Sequence, residues 1–264
     1  MITTDYRPGS PCWIELSASN LDRSLAFYRG LFGWEAESAG PDTGGYMLLK
    51  SKGRTVGGAG PLMEEGQPPA WTLYFHAPNA DEYVRGVAEL GGTVVVEPMD
   101  VMGMGVMAHC TDPQGVQFAL WQPLSFPGME SVDEPGSLIW AELWTADAEG
   151  AKEFYGSLFP WEFTTTELPD DAGTYLTAKP EGLEDDRMHS GIAQVDPGTA
   201  EAMGGGDWHP VFEVEDVDTT TALVPETGGV VTMPPADAPG VGRLSACTDP
   251  DGNSFVLLRP DPRS

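Results

Sequence analysis

Cysteine is scarce in this 264-residue chain: Cys12, Cys110 and Cys247 are an odd set, and no CxxC pair occurs. That excludes a disulfide framework and a zinc knuckle and points to free thiols in a reducing cytoplasm. Basic residues are few as well, 13 Lys and Arg against 41 Asp and Glu, for a formal charge of −28. A surface so acidic repels phosphate backbones and anionic lipid, which excludes nucleic-acid and membrane partners. It keeps the chain soluble and suits a cationic small molecule. No apolar run approaches a membrane span, and the opening "MITTDYRPGSP" has neither the basic nor the apolar region of a secretory leader, so a cytoplasmic location is expected. Phosphate-binding glycine loops, GxGxxG and nucleophile-elbow motifs are missing too, leaving nucleotide and serine-hydrolase chemistry without support.

What the chain does have is a repeat. "SPCWIELSASNLDRSLAFY" at 10–28 returns as "SLIWAELWTADAEGAKEFY" at 137–155, pairing Trp13 with Trp140, Glu15 with Glu142 and Tyr28 with Tyr155. Trp34 pairs with Trp161 in the same register, and "CTDPQGVQFALWQP" at 110–123 matches "CTDPDGNSFVLLRP" at 247–260. The offset grows from 127 to 137, so the second half carries about ten extra residues between Tyr175 and Trp208. "PEGLEDDR" and "EAMGGGD" are the expected surface insertions. The expected layout is one domain over 1–123, a Pro-, Gly- and Ser-rich linker at 124–136, and a second domain over 137–264.

Within each half the hydrophobic period changes in a fixed order. Residues 12–18 read as a strand, and "NLDRSLAFYRGLF" follows as a helix capped by Ser19 or Asn20. Strands follow near 34–38, 45–50 and 54–60; the order then restarts with a strand at 71–77, a helix from "NADEYVRGVAELGG" and strands near 93–98, 106–111 and 116–122. The chain is thus α+β, with four βαβββ modules. "DPQG" and "DPDG" have the chemistry of a type I turn before the last strand of each half.

This order, with "LDRSLAFYRGLFGW" after the first strand and "DPxG" before the last, resembles the vicinal-oxygen-chelate superfamily of glyoxalase I, extradiol dioxygenases and bleomycin-resistance proteins. It is most similar to two-domain glyoxalase-like proteins of actinobacteria, including accessory and self-protection proteins of antibiotic pathways. The resemblance implies two tandem half-barrel domains, each with a cleft, that imitate a dimer; a monomer and a further homodimer both remain open. It also implies where metal-using members keep ligands. Those positions fall here on Trp13 and Trp140, on Thr72 and His209, and on Ala119 and Val256, and of these only His209 has a ligand atom. A retained divalent ion needs about three protein ligands, so no cofactor is expected; the alternative for a metal is a displaced set of Glu142, His209 and Glu213.

Strand alternation predicts which residues share the cleft face. Trp13, Glu15 and Ser17 point together, as do Trp140, Glu142 and Trp144. Tyr74, His76, Gln117 and Trp121 join from the first half, and His209 and Glu213 from the second. Indoles with a few polar groups are the mixture that binds drug-like aromatic ligands. Met102 and Met104, in the glycine-rich stretch "EPMDVMGMGVMAHC", are expected at the rim. Each of these side chains also has a plain packing role open to it. Glu15 and Glu142, carboxylates between aromatics, need a partner: a ligand amine or hydroxyl, an arginine, or a proton in general-base work. The expected function is metal-independent binding of a hydrophobic, aromatic small molecule, an antibiotic or pathway product. The alternatives are a metal-dependent lyase, isomerase or oxygenase, and a metal-free acid–base enzyme with Glu15 or Glu142 as its catalytic group.

Overall fold

The computed structural model describes residues 1–64, 66–167, 174–202 and 206–262. Four modules follow one another. The first is β1 (Pro11–Ala18), α1 (Leu21–Phe32), β2 (Glu35–Ser38), β3 (Met47–Ser51) and β4 (Arg54–Pro61). The second is β5 (Ala70–His76), α2 (Ala80–Glu89), β6 (Thr93–Asp100), β7 (Gly105–Thr111) and β8 (Gln117–Pro123). The third is β9 (Leu138–Thr145), α3 (Ala148–Leu158), β10 (Trp161–Glu167), β11 (Thr174–Pro180) and β12 (Ser190–Gln194), trailed by the short α4 (Pro197–Ala202). The fourth is β13 (Gly206–Glu213), α5 (Val217–Glu226), β14 (Val230–Ala238), β15 (Gly242–Thr248) and β16 (Ser254–Pro260). The strands make two eight-stranded mixed sheets. No described helix is long and apolar enough to cross a membrane.

The helices begin where the sequence says they should. Asn20, Asn79, Asp147 and Asp216 each accept a hydrogen bond from the backbone N–H three residues on, at 2.9–3.2 Å, which satisfies one of the orphan donors of the first turn. In every module the first strand then pairs in parallel with the last, and hairpins supply the strands between. The additional length of the second half lies in a 3-10 turn, Asp185–Arg187, and in α4, inside the expected window; of "EAMGGGD", residues 203–205 lie outside the described residues.

Contacts gather the chain into two compact units, each drawn from both halves of the sequence. One comprises Ile14–Trp71, Met129–Ile139 and His209–Ser264. Its core is a cluster of rings from Phe27, Tyr28, Phe32, Trp34, Trp71, Phe212 and Phe255, with centroids 4.9–6.4 Å apart. The other comprises Met1–Trp13, Thr72–Gly128 and Trp140–Trp208. There Phe75, Phe118, Phe154, Tyr155, Phe159, Trp161 and Trp208 repeat the arrangement. Burying each such ring is worth roughly 1.5–3 kcal/mol, so these clusters dominate the stability of their units.

Both clusters carry the same buried polar chain. Trp71 Nε1 donates to Tyr28 Oη at 2.7 Å, and Tyr28 donates to Asp249 Oδ2 at 3.1 Å. In the other unit Trp208 donates to Tyr155 at 2.8 Å, and Tyr155 to Asp112 at 3.2 Å. Asp112 and Asp249 are the aspartates of the DPxG turns, whose glycine N–H groups close the turn on the aspartate carbonyls at 3.0 Å. Their Oδ1 atoms hold backbone amides two and four residues on. Burial raises both carboxyls, and the hydrogen bonds pull them partly back. Trp34 and Trp161 are core; their Nε1 atoms donate to Gly136 and Gly9 carbonyls.

Candidate functional site: a tyrosine-held carboxylate among indoles

The alternation predicted for the first strand of each half holds. On β9, Ile139, Ala141, Leu143 and Thr145 are buried, whereas Trp140, Glu142 and Trp144 are half-buried. On β1, Ile14, Leu16 and Ala18 are buried, and Glu15 and Ser17 are half-buried. Trp13 departs from the pattern. Only 7 % of it is exposed, because Phe126 sets its edge against the indole at 5.2 Å and 84°. Phe126 is held by its backbone N–H to Met104, and its carbonyl accepts Trp121 Nε1 at 3.0 Å. The first indole is therefore buried with the linker's Phe126 against it, while Trp140 is half-buried.

The inward carboxylates have built-in partners, and these are tyrosines. Tyr46 donates to Glu15 Oε2 at 2.7 Å. Tyr175 hydrogen-bonds Glu142 while accepting from Trp140 Nε1 at 3.0 Å; burial and the Glu142 charge together hold its phenol well above the usual tyrosine range. In both halves the reach is made possible by a glycine directly opposite the glutamate, in the parallel register Glu15–Gly58 and Glu142–Gly191. A Cβ at either glycine would overlap the tyrosine hydroxyl. Glu–Tyr–Gly is thus a three-residue unit that occurs twice. The sequence also repeats the element that carries the tyrosines, as "YMLLK" at 46–50 and "YLTAK" at 175–179.

The other expected site residues lie on further strands and turns. Tyr74 is buried, and its hydroxyl meets His109 Nε2 at 3.1 Å; burial lowers that histidine. His76 ends β5 opposite Trp121, half-buried, with its pKa lowered by burial. Gln117 is exposed at the start of β8. Met102 projects from the β6–β7 turn with 66 % exposure and positive φ; Met104 is half-buried. His209 is 1 % exposed within β13, and Glu213 is half-buried at its end. Among the described residues no three His, Cys, Asp or Glu side chains are placed to hold one metal ion, so Glu142, His209 and Glu213 are not gathered into a centre. The cysteines are buried; burial pushes Cys110 up to about 12 and raises Cys12 and Cys247, which fits inert thiols.

Comparison with known proteins agrees with this architecture. The family model described as "Glyoxalase/Bleomycin resistance protein/Dioxygenase superfamily" matches twice, over residues 12–120 and 137–257. The "Anthracycline biosynthesis protein DnrV" of Streptomyces peucetius is 35 % identical over 97 % of this chain and 94 % of its own length. The "Anthracycline biosynthesis protein DauV" of a Streptomyces species is 34 % identical over the same shares, 97 % and 94 %. Among solved structures, the Mn(II)-bound glyoxalase from Novosphingobium aromaticivorans superposes with a TM-score of 0.62 at 16 % identity, covering 96 % of this chain and 84 % of that one. Duplicated modules, paired DPxG turns and a family match across both halves lead to one assignment: this chain belongs to the glyoxalase, bleomycin-resistance and dioxygenase superfamily.

Proposed function

We propose that the protein binds a flat aromatic small molecule of an antibiotic pathway on the indole-bearing strand face, without a metal. The observation that carries this reading is the Trp140–Tyr175–Glu142 chain: a half-buried indole fixed in place by a tyrosine that also orients a carboxylate. An indole face supplies contact area, and a small set of fixed polar atoms supplies orientation, which is how aromatic ligands are held. The anthracycline biosynthesis relatives support the ligand class.

Tryptophan fluorescence tests it. Titration with a panel of flat aromatic antibiotics should quench emission saturably, with one site per chain, and Trp140→Leu should remove the saturable component. A panel that yields no quenching beyond inner-filter loss would refute the reading. So would metal analysis of the untagged protein that finds a stoichiometric transition metal needed for binding.

A further inference from the structure

The two compact units are not filled alike. In one, Phe159 at the end of α3 is 2 % exposed: Tyr155, Trp161 and Phe75 flank it, and Tyr83 of α2 lies against it at 5.7 Å and 31°. In the other, Phe32 at the end of α1 takes the place of Phe159, and Tyr28, Trp34 and Phe212 repeat the first three neighbours at 4.9–6.1 Å. The fourth neighbour differs. The modules that carry α2 and α5 align at the offset of 137 set by their DPxG turns, so the helix caps Asn79 and Asp216 correspond and Tyr83 becomes Thr220. A threonine has no ring to lay against Phe32, which is only half-buried.

A cavity of about 380 Å³ takes up the space, lined by Leu31, Phe32, Thr220 and Leu223 together with Ser51 and Lys52 at the β3–β4 turn. All of its lining residues belong to the same compact unit. The volume lies in the range of small-molecule pockets, roughly 300–1,000 Å³. An aromatic ring and two leucines beside hydroxyl groups suit an arene with one polar end. Glu215 and Asp216 also line the cavity, so its carboxylates outnumber its one ammonium and an anionic ligand is disfavoured. In the matching place of the other unit, the ring that closes the gap is a phenol.

We propose that this cavity is a binding site for an uncharged phenol, whose ring lies against Phe32 as Tyr83 lies against Phe159. The site is distinct from the strand face that carries Trp140, a residue of the other compact unit, and it does not depend on the reading of that face.

p-Cresol, the tyrosine side chain as a free molecule, is the probe. Titrated into the full chain, it should shift the methyl NMR signals of Leu31 and Leu223 saturably, with a dissociation constant on the order of millimolar for so small a ligand. 4-Methylbenzoate, similar in shape but anionic, should bind more weakly; equal or tighter binding would overturn the choice of an uncharged ligand. Thr220→Tyr fills the cavity from within and should abolish the shifts, whereas Thr220→Val adds no bulk and should keep them. Tyr83→Thr should open the matching space beside Phe159 and add a second p-cresol per chain. Silent Leu31 and Leu223 signals in the wild type, or shifts that persist in Thr220→Tyr, would overturn the proposal. Should Thr220→Tyr not fold, a Tyr83→Thr chain that gains no site would overturn it instead. Binding lost in Trp140→Leu but kept in Thr220→Tyr would put the phenol on the strand face and overturn the cavity site alone. Shifts that survive Trp140→Leu and vanish in Thr220→Tyr uphold the cavity whatever becomes of the strand face. A wild type that dimerises, ignores p-cresol and turns monomeric in Thr220→Tyr would give the cavity to a side chain of a second copy and overturn the proposal.

Discussion

Gly191 and Gly58 are small because a tyrosine hydroxyl occupies the space a methyl group would need. Gly191→Ala should therefore displace Tyr175 and cost about 1–3 kcal/mol, the usual penalty for overpacking. Removing the hydroxyl takes away the tightest overlap but leaves the ring carbon Cζ 2.4 Å from the new Cβ, so Tyr175→Phe with Gly191→Ala should recover part of the loss and be somewhat more stable than the two single effects added together. A urea-denaturation double-mutant cycle measures this; strict additivity would mean that the glycine has nothing to do with the tyrosine. Much of the pair's chemistry was visible in the amino acids, since Trp140, Glu142 and Trp144 alternate as strand residues on a cleft face should. The partner was not visible, because Tyr175 meets Glu142 through β11 and β12, and no local pattern announces a parallel register. The packing of Trp13 was not visible for a similar reason: Phe126 meets it from the linker, 113 positions along the chain.

The DPxG turn does more at the scale of an element than reverse the chain. Its aspartate organises two backbone amides and takes a hydrogen bond from a tyrosine on a helix more than forty residues away in one unit and 221 away in the other. Asp249→Ala should strand the Tyr28 hydroxyl and the turn amides, at roughly 2–4 kcal/mol for several buried groups losing their acceptor. Asp249→Asn keeps an amide acceptor and should cost clearly less. The sign of the pH effect follows from burial: a carboxyl raised in the folded state favours the protonated form. Asp112 and Asp249 therefore add stability at pH below the ordinary carboxylate value, and that contribution is lost as pH rises through their folded values. Thermal midpoints of Asp249→Asn should accordingly lose part of this dependence, and an unchanged profile would rule it out. The turn itself was legible from its tetrad. The tyrosine was not, because the pairing joins opposite halves of the sequence within one compact unit.

For the whole molecule, His189 and the net charge add to this dependence on pH and bring one on salt. His189 is 2 % exposed and bonded through Nδ1 to Ser190, and burial, with nearby positive charge including Arg187, lowers it from 6.5 to about 3. A base depressed in this way binds fewer protons folded than unfolded, so it withdraws stability as pH falls from about 6.5 toward about 3. His189→Gln should flatten the urea midpoint across that window relative to wild type. The charge of −28 acts in parallel, and added salt should raise the thermal midpoint by screening self-repulsion. A midpoint that falls with salt would contradict that. The duplicated architecture was legible throughout, since four repeated periods and caps mark four modules. How modules from the two halves gather into common units was not, because sequence order gives no sign of that exchange.

Equilibrium dialysis of the purified chain against a flat aromatic antibiotic, with a strong chelator on both sides of the membrane, tests the central claim most directly. One molecule retained per chain, released by Trp140→Leu, is the predicted result. Retention that appears only when a divalent metal is supplied, or that is indifferent to Trp140, would contradict it.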